Sequence, residues 1–368
     1  MKMLRNYYRR NLLAWAGLSA LISASIVTAA NLNKPQRYVQ INLVSDQPGV
    51  AALQDTNLVN AWGVSFSASS PFWVSDNGTG KATLYAVTND TSGSLTVSKL
   101  SLEVRIPGEG NPTGQLFNST TNFHGDVFIF ASEDGTISGW RPALGTNAEV
   151  LTARSNAVYK GITLAPGSNG PILLAANFRE GTVDVYDTNV SLVAQLVDFN
   201  APDGYAPFNV QTIDNTLVFI TYAKQDADKK DDVAGPGNGF IDAYDPRTGT
   251  LARFATGTGA GGNLHAINSP WGIALAPEGF GRHSGQLLVG NFGSGTIMAF
   301  DAQGRFQGLL RARQGGPVVI DGLWALTFGN GTRAGTPDTL FFTAGPDDES
   351  HGLFGALEPF EPGPPHGQ

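Results

Sequence analysis

The sequence predicts an all-β fold built as a six-bladed β-propeller, with the ring closed by an N-terminal strand that completes the last blade. Two observations carry this. Short apolar and β-branched runs punctuated by glycine fill most of the 368 residues, and sustained helical periodicity is almost absent. A glycine followed five residues later by a large apolar residue recurs six times, as Gly80–Tyr85, Gly135–Trp140, Gly181–Tyr186, Gly239–Tyr244, Gly295–Phe300 and Gly352–Leu357. A repeat of this length, with several strands per unit, is the mark of propeller blades.

Each unit reads as a four-stranded blade. Before each repeat glycine lies a strand: Phe72–Ser75, Val127–Ser132, Ile172–Ala176, Leu217–Tyr222, Gln286–Gly290 and Thr339–Thr343. The glycine then marks the turn of a hairpin. Upstream sits an inner strand, opened by Trp62-Gly63-Val64, Lys160-Gly161-Ile162, Phe208-Asn209-Val210, Trp271-Gly272-Ile273 and Trp324-Ala325-Leu326. The second unit is the weakest, with Thr113-Gly114-Gln115 as its match. Outer strands follow, such as Leu192–Asp198 and Phe306–Leu310. After the sixth hairpin the Pro-rich stretch from Glu358 to Pro365 is not expected to form a ladder strand. Tyr38–Leu43 is the spare strand that completes that blade.

The expected organisation is a signal peptide over 1–30, the propeller over 31–358 and a Pro/Gly-rich tail over 359–368. Lys2, Arg5, Arg9 and Arg10 precede a short apolar run from Leu12 to Val27, and small residues follow at Ala29 and Ala30. Export to a periplasm or the exterior is therefore expected, with no membrane span once the leader is removed. An uncleaved anchor is the alternative. Loss of this segment, with its four basic residues, takes the net charge from −8 to −12. The chain has no cysteine, which excludes disulfides and thiolate chemistry. No basic run follows residue 10, so nucleic acid is not expected as a partner. No Gly-x-Ser-x-Gly elbow or Walker motif occurs. Gly257–Gly262 fits G-x-G-x-x-G without a βαβ context and reads as a loop.

Site candidates come from one face, where the loops leading into the inner strands meet the hairpin turns. The first set supplies Asn60, Tyr159, Pro207, Asn268, Ser269 and Asp321. Four residues before the repeat glycine stand Asp76, Asn177, Asn291 and Asp348, with Asn77, Glu133 and Glu349 beside them. A rim of carboxylates and amides suits a hard cation, and calcium is the candidate, held by Asp321, Asn60, Asn177 and Asn291. The competing reading is that Asp and Asn make the turns themselves. Trp62, Trp271 and Trp324, with Phe208 and Lys160, form either an inner packing ring or a surface for stacking a ligand. Blade four carries a long charged tip, 225–239, in which Asp226 and Asp228 start like a calcium loop but the remaining ligand spacing fails.

The fifth unit, from Pro270-Trp271-Gly272-Ile273 through Leu288-Val289-Gly290-Asn291 to Gly295-Thr296-Ile297, resembles an NHL repeat. The chain as a whole resembles a family of exported, mostly bacterial propellers of unknown function. The matching stretches include Asn42–Gly49, Phe72–Gly80, Phe123–Asp126, Tyr222–Asp228, Asp321–Leu326 and Phe342–Pro346. That resemblance implies fold and export and no catalytic residues; some members carry a C-terminal sorting segment that this sequence does not match. The expected function is a monomeric scaffold that binds a small molecule, glycan or protein on its loop face and channel mouth. A calcium-dependent hydrolase or lactonase and a structural envelope or matrix component are the alternatives.

Overall fold

The computed structural model describes residues 37–257 and 266–360. The leader segment, the Gly-rich stretch beyond Gly257 and residues 361–368 lie outside the described residues. The described chain forms six antiparallel sheets, each ordered from an inner to an outer strand. Blade 1 comprises Ala61–Ser65, Phe72–Asp76, Lys81–Asn89 and Leu95–Arg105. Blade 2 comprises Pro112–Phe117, Phe128–Ser132, Thr136–Trp140 and Glu149–Ala153. Blade 3 has Tyr159–Gly167, Gly170–Asn177, Thr182–Tyr186 and Leu192–Leu196. Blade 4 has Tyr205–Ile213, Leu217–Lys224, Gly239–Asp245 and Thr250–Ala255. Blade 5 has Pro270–Leu275, Leu287–Asn291, Ile297–Phe300 and Phe306–Leu309. Thr113-Gly114-Gln115, the weak match, does lie in the inner strand of blade 2.

Blade 6 closes the ring as the sequence predicts. Its inner strands are Leu323–Phe328, Leu340–Ala344 and Leu353–Phe360, and the outer one is Arg37–Ser45 from the start of the described chain. The short Leu53–Gln54 strand adds to it in parallel. One boundary is corrected. Glu358, Pro359 and Phe360 belong to the strand, facing Val39, Tyr38 and Arg37. The proline is tolerated because pairing with the Leu340–Ala344 strand on the other side ends at Leu357, leaving no second ladder to break.

Side chains on the strand faces pack between blades, giving buried clusters that each draw on adjacent sheets. Tyr38 is buried against Phe280 of blade 5, with ring centroids 4.7 Å apart, and donates its hydroxyl to the Phe280 carbonyl at 3.0 Å. The closing strand is thus fastened to the blade before it as well as to its own.

The inner strands share two local features. Each has a bulge at its start, where the register slips: Ala61 to Val64, Pro112 to Gln115, Tyr159 to Gly161, Pro207 to Asn209, Pro270 to Ile273 and Leu323 to Leu326. A bulge leaves a residue out of the ladder and re-aims its side chain. The residues so released include Trp62, Thr113, Lys160, Phe208, Trp271 and Trp324, one from every blade. The second feature is the glycine after four of them. A Cβ on Gly63 would meet the Thr113 carbonyl of blade 2 at 2.4 Å, and one on Gly272 the Trp324 carbonyl of blade 6 at 2.5 Å. The repeated x-Gly-x is therefore a packing requirement, letting inner strands of neighbouring blades approach around the axis.

Candidate functional site at the channel mouth

The axis is filled by aromatic rings. Trp324 is sandwiched between Trp62, at 3.6 Å and 14°, and Phe292, at 3.9 Å and 19°. Trp271 meets both indoles edge-on, and Phe208 tilts against Trp324. All are buried. With both faces of Trp324 covered, the inner ring is core, and its indoles offer no free face for a sugar.

Above this plug lies a polar cluster to which all six blades contribute. At its centre is Lys160, whose side chain is 2% exposed. Its Nζ lies 2.5 Å from Glu133 Oε1 of the blade 2 turn and 2.9 Å from Asp231 Oδ1 of the blade 4 loop, and 5.0 Å from the centroid of the Trp62 ring. Burial works against the ammonium charge, but the Glu133 and Asp231 carboxylates outweigh it and raise its pKa. Asn77 of blade 1 donates to Glu133 Oε2 at 3.3 Å. Asn60 donates to Asn77 at 3.2 Å and to Glu349 Oε2 of blade 6 at 2.6 Å, while its own Oδ1 accepts from Trp324 Nε1 at 2.9 Å. Ser269 of blade 5 is fully buried and faces Asp232.

The backbone at this rim is strained. Asn60 (φ 46°) and Ser269 (φ 47°) are left-handed, and so are the three consecutive residues Asp347, Asp348 and Glu349. Non-glycine residues in this region cost free energy and cluster at functional sites. The Asp347 turn is held from below by Asp321, which accepts the Asp347 amide at 2.9 Å. The turn delivers Glu349 to Asn60. There burial pushes the Glu349 carboxyl up to about 7, Lys160 opposing the rise and Glu133 adding to it.

The candidate residues from sequence divide into two groups. Asn60 and Lys160 stand in this cluster, and the three tryptophans lie in the plug beneath it. Asn177, Asn291 and Asp321 spend their side chains elsewhere. Asn177 accepts from the amides of Val158 and Glu180, each at 3.3 Å, and Asn291 accepts from the Asn268 amide at 3.1 Å. Each pins the chain leading into the inner strand of its own blade. Among the described residues no group of three or more His, Asp or Glu is placed to hold a metal ion. In the blade 4 loop, Asp226 caps the Lys230 amide at 2.9 Å and Asp228 is exposed. The loop reaches the mouth through Asp231 and Asp232 instead. The sequence placed Glu133 and Glu349 in the carboxylate rim without making them ligand candidates, and gave Asp231 no site role. Their common signal was their position in turns on the same face as Asn60.

No family model matches the chain. Among solved structures, a streptogramin B lyase superposes with a TM-score of 0.50 over 90% of this chain and 99% of its own, at 12% identity, which shows the fold alone. Two relatives are viral proteins. The uncharacterised protein L690 of Acanthamoeba polyphaga mimivirus is 29% identical over 335 residues, 86% of this chain and 84% of the relative. The uncharacterised protein R648 of the same virus is 30% identical over 351 residues, 88% of this chain and 82% of the relative. By that extent of similarity, the chain belongs to the family of the mimivirus protein R648.

Proposed function

We propose that this chain is an exported, non-catalytic binding protein whose ligand is a small polar molecule held at the channel mouth. The observation that supports this reading is the ammonium of Lys160, buried at the axis and held by the Glu133 and Asp231 carboxylates of the two neighbouring blades. A buried ion pair contributes little net stability compared with apolar packing. The plug below shows that apolar packing is available at this position, since Trp62, Phe208, Trp271 and Trp324 occupy the equivalent bulges. A lysine there has a use other than holding the ring together. The strained left-handed turns that deliver Asn60, Ser269 and Glu349 point the same way.

The test is diffraction from crystals soaked with molecules that raise the melting temperature, drawn from a panel of carboxylates, amines and polyols, with calcium included as a separate arm. Density between Lys160 and Glu349 is the expected result. Density only at the blade rims would overturn the assignment, and calcium coordinated by Asn60 and Asp321 would favour the metal-dependent alternative. Export rests on the basic and apolar leader, and is tested by the N-terminus of protein recovered outside the cytoplasm. A start near Ala30 or Asn31 is expected, and an intact Met1 would contradict cleavage.

A further inference from the structure

We propose that Asp231 occupies, in the ligand-free protein, the place of a ligand carboxylate at Lys160, so that the channel mouth selects small carboxylates and the blade 4 loop is a displaceable strap across it. This deepens the reading above and rests on the mouth being the site.

The blade 4 hairpin is the outlier of the ring. Its second and third strands, Leu217–Lys224 and Gly239–Asp245, are joined by residues 225–238, whereas blade 2 makes the same connection with 133–135 and blade 3 with 178–181. The insertion is docked rather than free. Asp232 bridges to Gln225, the Gly235 amide donates to Asn268 Oδ1 at 2.6 Å, and Gln225 donates to the Phe178 carbonyl. At its inner edge it places Asp231 on Lys160.

The two partners of Lys160 are unlike. Glu133 comes from a short turn of the neighbouring blade and its side chain is 9% exposed. Asp231 comes from the insertion, and its side chain is 58% exposed although the ammonium it touches is buried. A carboxylate arriving from solvent meets the same ammonium at the same edge. Exchanging one carboxylate for another leaves the charge around Lys160 unchanged, so no uncompensated ion is left behind.

A second observation points to an acceptor-bearing ligand. Trp62 Nε1 is fully buried and has no hydrogen-bond partner, whereas the indole N–H groups of Trp271 and Trp324 are bonded to Lys160 O and Asn60 Oδ1. Trp62 is the indole next to Lys160. Unpaired buried donors cost free energy and are recovered by an acceptor. Lys160 and Trp62 together supply N–H groups suited to the two oxygens of a carboxylate.

The experiment uses the mature chain with acetate, glycolate and succinate, and with acetamide and glycolamide as neutral counterparts. Binding is read from tryptophan fluorescence, and expulsion of Asp231 from its side-chain carboxyl resonance in the wild-type protein. Carboxylates are expected to saturate, to shift that resonance, and to bind Asp231→Asn at least tenfold more tightly than wild type. The amides are expected not to bind, Lys160→Met to lose the response, and Asp228→Asn in the same loop to behave as wild type. Equal affinity in wild type and Asp231→Asn with an unmoved resonance would overturn the proposal. Amines or polyols that bind at the mouth where carboxylates fail would sink the carboxylate assignment and leave the site standing. No binding at the mouth by any probe would remove both.

Discussion

Two carboxylates, the fully buried Asp184 of blade 3 and the half-buried Glu349 at the channel mouth, show how differently this fold treats a charge. Asp184 is completely buried and saturated with donors. Its Oδ2 accepts from Arg154, from the Tyr159 hydroxyl at 2.8 Å and from Asn177 at 3.2 Å, and its Oδ1 from Thr182 at 2.9 Å and Gln195 at 2.8 Å. Every partner lies within residues 154–195, so one blade and the segment leading into it build the whole network. Glu349 has a single side-chain donor, Asn60, contributed by the next blade around the ring, and Glu133 and Asp231 repel it. Saturated networks rigidify a structure, and half-satisfied ones are retained where something other than stability is served. The contrast separates the blade's framework from the propeller's site.

The comparison is sharpened first by Asp184→Ala, which removes the acceptor shared by Arg154, the Tyr159 hydroxyl, Asn177, Thr182 and Gln195. It is expected to cost about 4 kcal/mol in urea unfolding while leaving binding at the mouth intact. A loss below about 1 kcal/mol would break the distinction. Lys160→Met leaves Glu133 buried without its partner, and a loss of about 3 kcal/mol is expected from the same measurement. Adding Glu133→Gln is expected to restore stability to within about 1 kcal/mol of wild type, because the pair as a whole contributes little. A double variant as unstable as the single one would mean that the pair is structural.

Glu349→Gln tests the other side through pH. The folded pKa of Glu349, about 7, lies above the ordinary glutamate value of 4.5, so the folded state holds the proton more tightly than the unfolded state. Its contribution is full below the unfolded value and is lost as pH rises through about 7. The difference amounts to about 3 kcal/mol. Wild type is therefore expected to lose stability between pH 5 and 8 relative to Glu349→Gln, whose profile is flatter. Parallel profiles would show that Glu349 ionises normally. Asp242 of blade 4, also pushed up to about 7 by burial against the pull of Arg253, contributes with the same sign and is present in both proteins. The smallest effect belongs to the exposed Asp228→Asn, expected within about 0.5 kcal/mol of wild type.

The blades were legible because their signals are local: a glycine turn, alternating strands and a spare N-terminal strand. The six bulges were not, because a register slip is decided by how inner strands meet around the axis. The reason for Gly63 and Gly272 lies in carbonyls some fifty residues away. Asn60 and Lys160 were singled out because they occupy repeat positions. Asn177 and Asn291 occupy repeat positions too, yet they bond backbone amides, as turn chemistry by itself predicts. Glu133, Asp231 and Glu349 were missed as a set because no spacing links them. Only the packing of blades around the axis brings Glu133 and Asp231 onto Lys160 and Glu349 onto Asn60. The Pro359 boundary failed for a similar reason, since a proline reads as a strand breaker until the absence of a second neighbour is seen.

The most direct test of the account is the melting shift produced by the panel of carboxylates, amines and polyols in two proteins: wild type and the Lys160→Met/Glu133→Gln double variant. A saturable shift in wild type that vanishes in the equally stable double variant is predicted. The same shift in both proteins would place the binding elsewhere on the propeller and contradict the assignment of the channel mouth.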